Sequence, residues 1–490
     1  MTDNSQLIVS ALKATNSELA KNIDLNSWQS SIRKEGARVK LYRDYENGDH
    51  RADLTPQMRD MLRLEIGTAG LRDFNDNYMK IVIDKMVARL HVSNISSKDD
   101  GVNEWVRELL SRNRFNAAQS AWFRGAIRDG DSYVMVDPET LLWTSESAYN
   151  GSKGVIPIFD GKTHKPIWAC KLWPVTDVMS DTETINSAIK IVVYEIDKIT
   201  YFVSRSNETE VTKIDEKSWA LDKLPLIQFA NQAGNYTPFG VSEIRPAIPL
   251  QDVMNRTMHS MVMASEFSAF TLLWSMGFEM KVADITPGGV INLVLEDNNG
   301  NVVTEFTEEQ FRFMQAAKVG QFQASDISQY TNQISKISQE ISHITQTPIY
   351  GITVEGGLSG DAMKQLEIGL LGKVERFQNQ NTDNVSDLIL LSAEIQKEFG
   401  SEFTKAPDIE DVNVVWKPAE ILDVNARIAA LTNLREKSPG LFVDAFYISR
   451  IGSLLGMSKS EIEEEIERAQ NQQSAFFSSL TGGAGTIPIA

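Results

Sequence analysis

One cysteine and five histidines in 490 residues leave little for redox or soft-metal chemistry. A lone thiol excludes a disulfide framework within the chain and suits a reducing compartment. His91, His164, His259 and His343 have no His, Cys or carboxylate neighbours at zinc spacing, so each reads as a surface or packed side chain. No apolar run approaches the ~18 residues of a membrane span. The longest, such as residues 189–194, are strand-sized. The start, Met1-Thr2-Asp3-Asn4-Ser5, lacks a basic region followed by an apolar one, so no signal peptide is expected. Positive charge is short too: 48 Lys and Arg against 66 Asp and Glu give a net charge of −18. No basic patch of the kind that grips phosphates stands out. The acidity serves solubility and self-repulsion or, in the sharper reading, a surface that must not stick to a polyanion moving past it.

What is present is length, core material and one conspicuous pattern. The chain is long enough for about three or four domains, and 42% hydrophobic residues permit a proper core. Residues 1–48 read as mostly helical and stop at Gly48. An amphipathic helix is expected over 75–92, with further helices over 103–110 and 116–128. Gly130 then breaks into a strand over 131–137. Residues 155–230 switch to short β runs at 155–159, 167–173, 189–195, 200–204 and 226–229, divided by turn residues. The fold class expected is α+β, predominantly α.

The pattern lies between residues 242 and 350. A helical run is expected over 242–270, with Pro246 and Pro249 in its first turns, where a missing N–H does least harm. It sets Ile244, Ile248, Met254, Met258 and Met261 on roughly one side. A turn-rich insert follows, with strands over 290–296 and 302–306. Glu296, Asp297, Asn298, Asn299, Gly300 and Asn301 form its hairpin tip, because Asn-Gly is a strong hairpin turn. A second helical run returns over 326–346, where Asp326 and Gln329 form a capping-box pattern. Its apolar set is Ile327, Tyr330, Ile334, Ile337, Ile341 and Ile344, a heptad-like seam. The opposite positions, Ser328, Asn332, Ser335, Ser338 and Ser342, are small and polar. Such a seam must be buried, against the partner helix or against a neighbouring subunit. Two helices with a β tip between them describe a stalk. A Gly-rich loop follows, and Ser359 or Asp361 then caps a long helix over 362–399. A strand over 412–416, helices over 423–473 and a Ser/Gly-rich disordered tail over 474–490 complete the chain.

Catalytic signatures are missing. Asp177, Asp181 and Glu183 read as a solvated turn. Gly356-Gly357-Leu358-Ser359-Gly360 lacks the Gly-Lys-Ser/Thr ending of a phosphate-binding loop and follows no clear strand. The Met group over 254–263 reads as core. The helix after Gly456 is too acidic, over 461–467, to enter a major groove. No cofactor, metal or catalytic residue is assigned.

The arrangement resembles the portal proteins of tailed double-stranded DNA bacteriophages, especially long-tailed phages, over roughly residues 25–470. The resemblance is carried by residues 42–50; the helix over 77–92; residues 130–136; Phe239-Gly240-Val241-Ser242-Glu243-Ile244; Thr347-Pro348 through the Gly-rich loop to Lys364; and Trp416-Lys417-Pro418. It implies a ring of about twelve subunits, a closed cyclic assembly, at one capsid vertex. It implies a wing over 1–241, stem helix 1 over 242–271, a clip over 272–325 and stem helix 2 over 326–346. A tunnel loop over 347–361, a long helix and wing return over 362–422, and a helical crown over 423–473 would follow. The tunnel-loop residues would be Gly351, Thr353, Val354, Glu355, Gly356, Gly357, Leu358, Ser359 and Gly360. With Glu355 and no Lys or Arg, that loop suits steric or sliding contact with DNA rather than a phosphate grip. The implied partners are further copies of the chain, the terminase large subunit, major capsid and scaffolding proteins, a head–tail connector and double-stranded DNA in the channel, with no membrane. The implied location is the virion, with the host cytoplasm during assembly. Hydrolysis would belong to the motor. The competing readings are another oligomeric virion or scaffold protein, or a soluble enzyme with an unrecognised site.

Overall fold

Helix caps organise the first residues. α1 (Ser5–Ala14) and α2 (Glu18–Asn22) precede α3 (Leu25–Asn47), whose Asp24 carboxylate accepts the Asn26 N–H. Gly48, at φ 81°, closes α3 in the left-handed conformation that glycine favours. The protein is described by a computed structural model over residues 3–15, 18–50, 75–176, 187–205, 210–234, 237–269, 273–276, 307–316, 318–321, 326–348, 360–400, 405–409, 411–420, 424–437, 444–455 and 461–471. It divides into two units, Met1–Lys417 and Pro418–Ala490.

In the first unit α4 (Tyr78–Val87) is shorter than the expected 75–92 helix. Asn77 caps it by accepting the Lys80 N–H. Val92 belongs instead to β1 (Val92–Ser96), which pairs antiparallel with β12 (Asn413–Trp416). That long-range partner overrides the helical periodicity of the local sequence. α5 (Asp100–Arg112) and α6 (Phe115–Asp129) follow, and Gly130 at φ 99° turns the chain into β2 (Asp131–Val136). β2 is the middle of a three-stranded antiparallel sheet, between β3 (Trp143–Ser147) and β9 (Leu226–Ala230). β4 (Gly154–Phe159), β5 (Pro166–Thr176), β6 (Ser187–Glu195), β7 (Lys198–Arg205) and β8 (Thr212–Ser218) form a five-stranded antiparallel meander in sequence order.

Period-2 alternation puts Trp168, Cys170, Leu172, Ile191, Val193 and Phe202 on one face of the meander. Leu7, Ile8, Ala11 and Leu12 of α1, with Ile32 of α3, cover that face. Burial pushes the Cys170 thiol well up, which makes it an inert core atom. A second core joins Val39 of α3 to Tyr133, Met135, Val155 and Leu226. An aromatic chain links the remaining elements: Trp122 stacks on Phe229 at 5.7 Å, and Phe123 meets Phe377 at 5.7 Å and Trp416 at 5.2 Å.

The helix expected over 242–270 starts later. Residues Arg245–Ala247 form one 3₁₀ turn around Pro246, and α7 runs from Ile248 to Ala269. Proline's missing N–H and fixed φ suit that tight first turn. Between α7 and its return lie β10 (Leu273–Met276), α8 (Glu308–Ala316) and β11 (Lys318–Gln321), with β10 and β11 antiparallel. α9 (Ser328–Thr345) packs along α7. α10 (Gly360–Phe399) is 40 residues long. The expected hairpin strands over 290–296 and 302–306 lie outside the described residues, as do Asp177, Asp181, Glu183 and the tail over 474–490. The second unit carries α11 (Val424–Lys437), α12 (Asp444–Leu455) and a helical run at 461–471. Within it Arg435 pairs with Asp444 at 2.8 Å.

Gly130 and Gly240 interlock. A Cβ on Gly240 would stand 2.1 Å from the Gly130 carbonyl oxygen, and Asn231 donates its backbone N–H to that same oxygen. Gly240→Ala is therefore expected to lower stability by about 1–3 kcal/mol through forced backbone displacement. Gly161→Ala, where an added Cβ meets nothing within 4 Å, is expected to change it by less than about 0.5 kcal/mol. Thermal unfolding of the two variants checks this, and equal melting temperatures would refute the interlock.

Candidate functional site

The first turns of α7 are set in polar contacts. The Gln251 side-chain carbonyl accepts the Tyr78 N–H at 3.0 Å, and its amide donates to the Asp76 carbonyl at 2.9 Å. Asn255 accepts the Asp76 N–H at 3.1 Å and donates to His50 Nε2 at 2.8 Å. Burial pushes the His50 pKa down, so the neutral ring has Nε2 free to accept. That ring stacks on Tyr45 at 4.2 Å, and the Tyr45 hydroxyl donates to Asp252. The end of α3 and the start of α4 thus hold the base of α7 through directed hydrogen bonds.

Beneath them lies a chain of charges. Glu46 of α3 accepts from Arg124 at 2.6 Å and from Arg128 at 2.7 Å, both on α6. Arg124 also reaches Asp84 of α4. Asp129 takes Arg43 at 2.8 Å and Arg128 at 2.7 Å. Burial alone would raise the Glu46 pKa, but Arg128 and Arg124 outweigh it and hold the carboxyl below its usual range.

A second tie joins α10, the end of α9 and the residues before α7. Lys373 of α10 and Glu243, which precedes α7, are both about 95% buried and in direct contact. The Lys373 ammonium also donates to the Thr345 carbonyl, at the end of α9. A cation on the last carbonyl of a helix also meets the negative end of its dipole. Glu243 accepts in addition from Asn231 at 3.2 Å and Gln232 at 2.9 Å, and its own N–H donates to Ile127. Burial, with Arg376 adding to it, pushes the Lys373 pKa down, while the Glu243 carboxylate in contact favours the charged form. Gln346, at φ 47°, ends α9, and Gly369 lets α10 approach it: an added Cβ there would stand 3.0 Å from Gln346 Cβ.

The residues singled out from sequence distribute unevenly. Met254 is buried and Met258 and Met261 are half-buried on α7. On α9, Ile337 and Ile341 are buried and Tyr330 and Ile334 are half-buried. Ile327, just ahead of α9, is half-buried, whereas Ile344 is 48% exposed. Ser338, expected on the polar side, is 2% exposed, and its hydroxyl donates to the Ser335 carbonyl at 2.8 Å. Asp326 accepts the Ser328 N–H at 2.9 Å, so it serves the helix start from one residue before the N-cap. Gly360, expected in the loop, is the first residue of α10. Gly351, Thr353, Val354, Glu355, Gly356, Gly357, Leu358 and Ser359, and the tip residues Glu296, Asp297, Asn298, Asn299, Gly300 and Asn301, lie outside the described residues. Sequence reasoning missed Lys373, Glu243, Gln251 and Asn255; the only signal was polar residues at helical positions otherwise destined for burial. Among the described residues, no group of three or more His, Cys, Asp or Glu could hold a metal ion. Among them, too, no helix is long and apolar enough to cross a membrane.

Residues 71–474 match the family described as "Phage portal protein, SPP1 Gp6-like". The chain belongs to this phage portal family. The portal chain is also similar to solved structures described as "Virion of native gene transfer agent (GTA) particle" and "Neck of native GTA particle computed with C12 symmetry". The first is 13% identical, covers 82% of this chain and 94% of that one, and has a TM-score of 0.38. The second is 11% identical, covers 86% and 99%, and has a TM-score of 0.39. No curated protein matches. The portal family is structural.

In this portal chain Lys373→Met strands the Glu243 carboxylate in the interior. A loss of about 3–5 kcal/mol is expected, with more than half regained in Lys373→Met/Glu243→Gln, because a neutral amide in place of the carboxylate leaves no unpaired charge. Urea unfolding of the two single variants and the double variant closes the cycle, and additive losses would refute the coupling.

Proposed function

We propose that this portal protein assembles into a ring at one capsid vertex, whose channel passes double-stranded DNA inward during packaging and outward at ejection. The family match over residues 71–474 carries the reading, because it spans α7, α9 and everything between them. About twelve subunits is the expected number, in a closed ring where every copy presents the same two faces to its neighbours.

α7 and α9 serve as the stem, residues 272–325 as the clip, and 347–359 with the start of α10 as the tunnel loop. The body over residues 1–241, with the wing return over 362–422, serves as the wing, and residues 423–473 serve as the crown. The clip docks the terminase large subunit during packaging and a head–tail connector afterwards; Phe311 of α8, 54% exposed, offers an anchor there. Capsid and scaffolding proteins surround the ring. The protein works in the virion after assembly in the host cytoplasm, and the motor rather than the portal hydrolyses nucleotide. A net charge of −18 suits a wall along which DNA slides.

Burial divides the stem positions by role. Ile341 is fully buried within one chain, whereas Ile344 on α9 and Ile368 on α10 are 48% and 63% exposed. Ile341→Asp is expected to unfold the helix pair itself, because it buries an unpaired charge. Ile344→Asp is expected to leave the melting temperature of the single chain within about 2 °C while abolishing rings. Negative-stain microscopy with solution mass reads both outcomes, and normal rings from Ile344→Asp would remove Ile344 from the subunit interface. Deleting residues 351–359 is expected to spare the ring and reduce packaged DNA at least tenfold. Full packaging by that variant would sink the tunnel-loop role.

A further inference from the structure

Away from the helix pair, a cavity of about 320 Å³ opens between α3, the start of β2 and β4. Trp28, Ile32, Tyr133, Tyr149, Ile156 and Phe239 give it an apolar, largely aromatic part, and Glu35, Arg38 and Asp129 line it too. Asp131, the first residue of β2, also lines it and is 6% exposed. Both hydrogen bonds that reach this carboxylate end on Oδ1, from Gln228 Nε2 at 2.8 Å and from the Gly240 N–H at 3.0 Å. Among the described residues no hydrogen bond reaches Oδ2.

Most charges around Asp131 are matched to one another, the exception being Arg38 Nε, which is buried without a hydrogen-bond partner among the described residues. Arg38 of α3 pairs with Glu35, and Asp129 at the end of α6 is taken by Arg43 and Arg128. Both donors to Asp131 are neutral, and among the described residues no ion pair reaches it. A buried carboxylate with one oxygen free of hydrogen bonds, among aromatic side chains, has the composition of a cation receptor. Aromatic faces attract a desolvated cation, and the carboxylate supplies the charge-assisted hydrogen bond.

We propose that this cavity receives an arginine or lysine side chain presented by a protein partner, with its head group on Asp131 Oδ2 and its methylene stem along the aromatic walls. The net charge of −18 favours approach of a basic segment over an acidic one. A divalent ion is disfavoured because Glu35 and Asp129, the other carboxylates on the lining, are already paired with arginines. Burial pushes the Asp131 pKa up to about 7, with Gly240 and Gln228 opposing it and Glu35 and Arg38 contributing least. An incoming cation therefore binds the ionised form and releases a proton below that pH. Affinity rises with pH, by up to about tenfold per unit below 7, and levels off above it.

The test uses the full chain and two matched probe pairs followed by calorimetry. The first is benzamidine against its neutral counterpart benzamide; the second is a capped arginine tripeptide against the same tripeptide carrying citrulline. Saturable binding of benzamidine and the arginine peptide at pH 8, at least tenfold tighter than their neutral twins, is expected. Both are expected to weaken at least tenfold at pH 5.5 and in Asp131→Asn. Ser31→Trp, at an exposed position on the lining, is expected to block binding with the carboxylate intact. Should Asp131→Asn not fold, the Ser31→Trp and pH arms decide. Equal affinity for the neutral twins, no response to either variant, or no saturation would overturn the proposal. Binding of benzamidine without the arginine peptide would overturn the side-chain receptor.

Discussion

Lys373 and Glu243 each give up water to lie against one another, and that contact constrains three parts of the chain at once. Glu243 leads into α7, Thr345 ends α9, and Lys373 stands in α10. A buried ion pair is weak evidence for net stability, because the desolvation of two charges offsets much of their attraction. What it enforces is register. A slip of one residue along any of the three segments would leave a charge unpaired in the interior, an error costing several kcal/mol. Both chain ends flanking residues 346–359 are therefore anchored, whatever that segment does between them.

The polar lock on α7 follows the same logic. Apolar contacts tolerate sliding, whereas the carbonyl and amide of Gln251 and the side chain of Asn255 each have a fixed partner in the segment ahead of α4. The lead-in to α7 is held from a third side as well. Gly240 donates to Asp131, Asn231 accepts the Val241 N–H at 2.7 Å, and Glu243 donates to Ile127. The floor of the aromatic cavity and the lead-in to α7 consequently share one hydrogen bond. A cation drawing charge onto Asp131 would strengthen the Gly240 contact, since an ionised acceptor makes the stronger bond.

Local chemistry made part of this legible. Gly48, Gly130 and the alternation through β5, β6 and β7 announce themselves, because each is decided within a few residues. Long-range pairing did not. β8, Thr212–Ser218, is exposed at every position and carries Lys213, Asp215, Glu216 and Lys217; it is a strand because β7 offers it a ladder. β1 extends into what reads as helix because β12 lies beside it. The heptad pattern placed α9 within two residues at either end, and the ties at its base join positions far apart in sequence. No periodicity reports such pairs.

The isoleucine seam divides between a buried and an exposed side of α9. A strict 3–4 repeat drifts relative to a straight helix of 3.6 residues per turn, so a line of side chains begun on one partner ends beside another. Ile337 and Ile341 are satisfied inside the chain, and Ser338 and Thr345, rather than Ile344, continue the buried face. The burial of Ser338 and Thr345 and the Lys373 contact with the Thr345 carbonyl mark those polar positions as the inward ones. Ile344 is thereby turned out, in the same chain that exposes Ile368 of α10. In the proposed ring, one apolar set would hold the subunit's own helices and Ile344 would be left to the neighbour, separated from it by the polar anchors of α9.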